Sequence, residues 1–163
     1  MTEVRLRPAG PADRAFFREV YASTRADELA RVPWDEAAKQ AFVDHQFAAQ
    51  TAHYEQHYVG ATVDVVVVGG QDAGRLYVYR GEREIRIVDI ALLPACRGTG
   101  AGTALLAALQ DEALAAGKTL SIHVEQGSPA RSLYDRLGFV EVEERGAHHY
   151  MTWTPEPQPN TAS

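Results

Sequence analysis

One stretch constrains the fold of this chain more than any other: an apolar run, a glycine-rich turn and an amphipathic segment follow one another between Ile87 and Ala116. Ile87-Val88-Asp89-Ile90-Ala91-Leu92-Leu93 is dominated by Ile, Leu and Val, the composition of a buried strand. Pro94 stops it. Past Gly102 the apolar residues Leu105, Leu106, Leu109 and Ala113 recur at helical spacing. A strand therefore ends, a turn containing Gly98, Gly100 and Gly102 follows, and a helix begins.

Such a turn leaves backbone N–H groups uncovered by side chains where a helix leaves its first donors unpaired. The helix dipole adds partial positive charge there and Arg97 adds a full one, so the turn is suited to a phosphate or pyrophosphate. The plainer alternative is a glycine turn that only joins a strand to a helix. A P-loop ends in Gly-Lys-Ser/Thr, but Gly102 is followed by Thr103 with no lysine. A dinucleotide fingerprint starting at Gly98 requires glycine where Thr103 stands. What fits is R-x-x-G-x-G, as Arg97, Gly100 and Gly102.

The segment from Leu92 to Gly102 resembles the acetyl-CoA pyrophosphate loop of the GNAT superfamily of N-acetyltransferases, which follows that family's fourth strand. Downstream, Ala130-Arg131-Ser132-Leu133-Tyr134-Asp135-Arg136-Leu137-Gly138-Phe139 is similar to its A-x-x-L-Y-x-x-L-G-F segment. Two motifs in the right order are far more specific than either alone. The motif-bearing region runs from about Ile85 to Trp153, and the N-terminal half matches in element order.

The length, 163 residues, suits one domain with a single core, and 45% hydrophobic and 23% charged residues are ordinary for a globular protein. A formal charge of −6 argues against nucleic acid, whose phosphates demand a basic face. The single cysteine, Cys96, makes neither an internal disulfide nor a metal cluster, so a reducing compartment is the default. The first residues lack the hydrophobic stretch of a secretory signal, and the longest apolar run, Val65 to Val68, is too short for a bilayer. The expectation is a soluble cytoplasmic protein with no membrane partner and no metal.

Val4 to Arg7 reads as a short strand, and from Pro11 the chain turns helical with Phe16, Phe17, Val20, Tyr21 and Thr24 on one stripe. Asp35 is placed to cap a second helix running to about His57, with Trp34 as a staple residue before it. Gln46, Gln50, His53 and His57 form a polar stripe on it, which either borders a substrate pocket or is simply a solvent face. His53 and His57 at i, i+4 resemble half a metal site without a third ligand. Ala61 to Val68, Leu76 to Tyr79 and Ile85 to Leu93 read as an antiparallel meander, with Gly69 to Gly74 and Gly81-Glu82 as turns. Arg75, Tyr77 and Tyr79 alternate with Leu76 and Val78, a more polar face against a more buried one. Thr119 to Val124 is a strand, Pro129 opens a short helix, and Val140 to Glu144 and Tyr150 to Trp153 close the pattern.

That order is also the order of the GNAT fold. The resemblance implies an α/β (α+β) domain over residues 1–154: a mixed, mostly antiparallel sheet with a splayed parallel strand pair and helices on both faces. Residues 155–163 are expected to form a disordered tail. The resemblance also implies that the pantetheine arm of acetyl-CoA enters the splayed gap. The backbone of Leu92 and Leu93 then bonds the pantetheine, and Arg97, Gly98, Thr99, Gly100, Ala101, Gly102 and Thr103 hold the pyrophosphate.

Acetyl transfer to an amine needs a group to take the ammonium proton and one to protonate the leaving thiolate. Tyr134 matches the tyrosine that often supplies the acid in this family; otherwise it is a core aromatic. Asp89 is the one carboxylate inside the strand before the loop, where an unpaired charge is costly. It is either the substrate-binding or proton-accepting group, or a buried aspartate satisfied by backbone or an arginine. Glu84 points to the opposite face unless a bulge intervenes, and His148 and His149 are other proton acceptors to consider. Gly127 stands where many members have a cofactor-positioning asparagine, leaving that task to backbone, water or Ser128. Cys96, with no paired histidine in the sequence, is read as an ordinary small residue.

The leading reading is an acetyl-CoA-dependent N-acetyltransferase acting on a primary amine of a small molecule or protein. The alternatives are a catalytically weak acyl-CoA-binding regulatory module and a nucleotide-phosphate enzyme. The acceptor stays open, with Tyr21, Arg25, Trp34 and Gln50 as conceivable lining residues. A homodimer is equally open, since many relatives are dimers.

Overall fold

The computed structural model describes residues 3–155, so residues 156–163 of the expected tail lie outside the described residues. In order come β1 (Val4–Pro8), a 3₁₀ turn (Pro11–Asp13), α1 (Arg14–Ala30), α2 (Glu36–His57), β2 (Thr62–Val68), β3 (Gln71–Arg80) and β4 (Glu84–Leu92). A second 3₁₀ turn (Pro94–Cys96) leads to α3 (Ala101–Ala116), β5 (Thr119–Glu125), α4 (Arg131–Arg136), β6 (Val140–Arg145) and β7 (His148–Trp153). The strands follow the order β1-β2-β3-β4-β5-β7-β6. Pairs β1–β2, β2–β3, β5–β7 and β6–β7 are antiparallel and β4–β5 is parallel, the mixed sheet expected. By their contacts the described residues divide into two compact units, 3–78 with Asp89–Gly102 and Tyr79–Val88 with 103–155.

In the first unit, Phe17, Tyr21, Val43, Phe47, Val65 and Val67 form one buried cluster that joins α1, α2 and a single face of β2. Val65 and Val67 meet there because side chains two apart in a strand share a face. Val66 and Val68, on the opposite face, are also buried, which explains why β2 shows an unbroken valine run rather than alternation. Each such side chain contributes about 1.5–3 kcal/mol when fully buried. At the start of α2 the Asp35 carboxylate accepts from the Ala38 N–H at 2.8 Å, a cap worth about 1 kcal/mol. Trp34 lies edge-on to Phe42, at 5.5 Å between ring centroids, rather than one turn into the helix as a staple requires.

The expected turn from Gly69 to Gly74 is shorter than the sequence suggests. Only Gly69 and Gly70 turn, and Gln71 to Gly74 already belong to β3. The register steps from Val66↔Gly74 to Val67↔Asp72, so Ala73 is the extra residue of a bulge. Gly74 is there for room: a Cβ would lie 2.1 Å from the Ala91 carbonyl oxygen on β4. On β3 the face of Arg75, Tyr77 and Tyr79 is the more polar and Leu76 and Val78 are the more buried, at 2% and 1% exposed, but Arg75 and Tyr77 are themselves enclosed, at 5% and 8%.

In the second unit, Ile85, Leu120, Ile87, Ile122 and Met151 fall on one sheet face by register, and all are buried. Leu105, Leu106, Leu109 and Ala113 form the buried stripe of α3 at the spacing seen in the sequence. Gln110 of that helix donates to the Leu137 carbonyl at 2.8 Å and so ties α3 to the end of α4. The strand β6 closes the sheet and is exposed along its whole length.

Candidate active site

The glycine turn is built by local bonds. The Leu93 N–H donates to the Ala73 carbonyl at 2.8 Å, which pins the end of β4 against the β3 bulge. Successive N–H groups of an extended strand point to opposite edges, so the Leu92 N–H points to the edge away from β3. Cys96 N–H donates back to Leu93 O at 2.9 Å and Arg97 N–H to Pro94 O at 3.2 Å, closing the 3₁₀ turn. Thr99 Oγ1 donates to Cys96 O at 2.9 Å and accepts the Ala101 N–H at 3.4 Å, so Thr99 stands before α3 much as a cap does.

Gly98 and Gly100 have φ of 75° and 83°, in the left-handed region that side chains disfavour, and a Cβ at either position meets nothing within 4 Å. Their glycine character answers to backbone conformation, and it leaves open space over the turn. Arg97 is exposed and anchors its Nε on the Leu92 carbonyl at 3.2 Å, which leaves the end of the guanidinium facing solvent. Residues Arg97 to Thr103 are thus brought together as one turn and first helical turn, with Ala101 buried beneath.

Asp89 has a partner that its sequence neighbours do not reveal. Arg75 on β3, 5% exposed, donates from Nε and Nη2 to Asp89 Oδ2 at 3.0 and 2.5 Å. Its Nη2 also donates to Gln50 Oε1 at 2.8 Å, and its guanidinium lies 5.4–5.8 Å from the ring centres of Phe17, Tyr54 and Tyr77. Gln50 of the helical polar stripe therefore points into this cluster, not to solvent. Burial, with the nearby Asp89 charge, pushes the Tyr54 phenol well above its ordinary range, so it stays protonated. Of the four lining residues considered, Tyr21 and Arg25 meet each other, with Arg25 over the Tyr21 ring at 5.5 Å, and Trp34 stays exposed.

Tyr134, 5% exposed, sits on α4 with its ring edge-on to Phe139 at 5.7 Å, and the Phe139 N–H donates to its carbonyl at 3.0 Å. The L-Y-x-x-L-G-F pattern thus has a packing reason as well as any chemical one. Gly127 is left-handed at φ 78°, and Ser128 Oγ accepts the Ala130 N–H at 3.2 Å, which engages that hydroxyl at the start of α4.

Glu84 lies on the face opposite Ile85 and Ile87 and is engaged: it accepts from the Tyr150 hydroxyl at 2.7 Å and pairs with Arg86 at 3.3 Å. Burial works against its charge, but hydrogen bonds from Ser121 and Tyr150 and the Arg86 charge outweigh it and hold the carboxyl below its usual range. His149 contacts Glu141, and His148 pairs in register with Arg145. His53 and His57 stack at 4.1 Å on α2. Among the described residues no group of three or more His, Cys, Asp or Glu is placed to hold a metal ion, and no helix is long and apolar enough to cross a membrane. Arg75, Arg86 and His123 escape a reading of the sequence because the contacts Arg75–Asp89, Arg86–Ser121 and Arg86–His123 each join two strands across 14 to 37 residues. The one available signal was a charge in the middle of an apolar strand.

Compared with known families, residues 21–155 match the model of the acetyltransferase (GNAT) domain. The chain belongs to the GNAT acetyltransferases. No curated protein sequence matches at a significant level. Among solved structures, the PaiA N-acetyltransferase from Thermoplasma acidophilum in complex with coenzyme A aligns with a TM-score of 0.70 and 14% identity over 94% of this chain and 99% of that one. An acetyltransferase from Thermus thermophilus aligns with a TM-score of 0.67 and 17% identity over 93% and 97%. YncA from Salmonella typhimurium, solved with its cofactor acetyl-CoA, aligns with a TM-score of 0.57 and 22% identity over 98% and 99%. At these identities the likeness is one of fold.

Proposed function

We propose that the chain is an acetyl-CoA-dependent N-acetyltransferase that moves the acetyl group directly to a primary amine of a small molecule or protein. One observation carries the reading: exposed Arg97 stands beside left-handed Gly98 and Gly100 in the turn that delivers α3, within a chain matching the family model. In this reading the first N–H groups of α3 and the Arg97 guanidinium hold the pyrophosphate, and of Leu92 and Leu93, both expected to bond the pantetheine, Leu92 offers its outward N–H while the Leu93 N–H already donates to the Ala73 carbonyl. We also infer that the reaction takes place in the cytoplasm; separately, a formal charge of −6 argues against a nucleic-acid partner.

Acetyl-CoA supplies the activated acyl group. The acceptor must lose the ammonium proton before its lone pair can form the new N–C bond while the C–S bond breaks. Asp89 offers Oδ1 for that amine, directly or through water, since both Arg75 donors go to Oδ2. Tyr134 gives its hydroxyl proton to the departing sulfur, which requires the phenol in its neutral form.

A second reading, a catalytically weak acyl-CoA-binding module, draws on Asp89 being already countered by Arg75. CoA release from acetyl-CoA over a panel of primary amines separates the two. Tyr134→Phe keeps the ring against Phe139 and is expected to lower kcat by about 10²-fold or more, the usual scale of acid catalysis, with acetyl-CoA affinity unchanged. No release with any amine favours the binding module.

A further inference from the structure

A polar array on one sheet face of the second unit has no part in the chemistry above. Register places Arg86 beside Ser121, His123 beside Tyr150, and Tyr150 beside Glu143, one strand to the next. Arg86 Nε donates to Oγ of fully buried Ser121 at 2.7 Å, and its Nη2 pairs with Glu84 at 3.3 Å. Arg145 Nε donates to Glu143 at 3.1 Å, and its guanidinium covers the Tyr150 ring at 4.2 Å. Each arginine thus has its own carboxylate, and the two share His123. Arg86 Nη1 lies 3.3 Å from His123 Nδ1, and Arg145 Nη1 lies 3.3 Å from His123 Nε2.

This arrangement is frustrated whichever tautomer forms. A neutral imidazole accepts at one nitrogen and donates from the other, an imidazolium donates from both, and a guanidinium only donates. At least one His123 N–H therefore faces a group unable to accept it. An anionic oxygen resolves the conflict, because it can accept from the imidazole N–H and from the guanidiniums at once. The other charged or titratable groups on this face are Glu84 on β4, Glu125 on β5, Glu143 on β6, and His148 and Tyr150 on β7. Glu84 and Glu143 are engaged by the two arginines. Burial first, then the charges of Arg86, Arg145 and His148, hold His123 below its ordinary pKa, as expected where positive charge dominates.

The position of the array suggests what the anion belongs to. Parallel pairing of β4 with β5 runs from Glu84↔Thr119 to Ile87↔Ile122, so Arg86 and His123 flank the last pair. In the acetyl-transfer reading the strands part there to admit the thioester arm. We propose that Arg86, His123 and Arg145 recognise an anionic group, carboxylate or phosphate, carried by the amine acceptor. The acceptor class is then amines with an acidic substituent, such as amino acids and amino phosphates, rather than simple polyamines. This assignment to the acceptor rests on the acetyltransferase reading.

Two measurements test it. Inorganic phosphate and, separately, acetate are titrated into the full-length protein while the His123 imidazole resonances, assigned with a His123→Gln variant, are followed by NMR. A saturable shift is expected, weakened about tenfold in Arg145→Gln by loss of one charge-assisted contact; the Arg145 side chain is 45% exposed, so that variant should fold. Unmoved His123 resonances with both anions overturn the site. CoA release is then compared for 4-aminobutanoate against butylamine and for phosphoethanolamine against ethanolamine, pairs that tell a carboxylate from a phosphate preference. The acidic member is expected to have the higher kcat/KM by about tenfold, and Arg145→Gln to abolish that preference through KM. Equal rates in wild type, or a preference that survives Arg145→Gln, overturn the acceptor assignment. If no amine is acetylated, the acetyltransferase reading fails and the assignment to an acceptor fails with it, while the titration still decides whether the array binds anions.

Discussion

Arg75 sends two donors to a single oxygen of Asp89, at 3.0 and 2.5 Å, and leaves the other oxygen of that carboxylate outside the pair. The guanidinium is buried among aromatic rings and depends on Asp89 as its counter-ion. Breaking a buried pair from one side leaves an uncompensated charge, which costs more than the pair contributes. Arg75→Met is expected to lose about 3 kcal/mol of stability, the lower end of the usual range because Asp89 keeps 23% of its side chain exposed. In urea unfolding, Arg75→Met/Asp89→Asn should lose less than the sum of the single variants. Additive losses would contradict the pairing.

Gly74 lies where the Ala91 backbone leaves no room for a side chain. Gly74→Ala places a Cβ at 2.1 Å from the Ala91 carbonyl, a distance that only a shift of β3 or β4 can relieve. A loss of about 3 kcal/mol or more is expected, on the scale of severe overpacking. Gly10→Ala, with nothing within 4 Å, is the control and should change stability by less than about 1 kcal/mol. Equal unfolding midpoints for the two variants would contradict the close approach.

The His123 environment predicts a pH dependence with a definite sign. Its folded pKa lies below the ordinary 6.5, through burial first and neighbouring positive charge second. As pH falls below 6.5 the unfolded chain takes up the proton before the native state does, so this residue makes stability decline with acidification until the folded group titrates. His123→Gln should flatten the stability profile below pH 6.5 and leave it little changed above. A slope identical to wild type throughout would contradict the account.

Much of the fold is legible in the sequence because its signals are local. The Leu92 to Gly102 turn, the Asp35 cap and the α3 stripe each depend on residues within a few positions, and each forms where expected. The start of β3 was obscured because Gln71-Asp72-Ala73-Gly74 has turn composition, while Gly74 answers to a neighbouring strand instead. The more polar face of β3 is present, but its burial was obscured for a related reason: Arg75 is polar by type, and Asp89, Gln50 and three aromatic rings enclose it. For the candidate site, the glycine turn is written in consecutive residues. The company of Asp89 and of His123 is set by strand register, which no short window of sequence contains.

In the proposed function the turn from Arg97 to Thr103 binds the pyrophosphate of acetyl-CoA. Calorimetric titration of acetyl-CoA into the wild-type protein and into Arg97→Ala tests it most directly. Saturable wild-type binding, weakened about tenfold in the variant by loss of a charge-assisted contact, is the predicted result. No wild-type binding, or equal affinity in the two proteins, would contradict the claim.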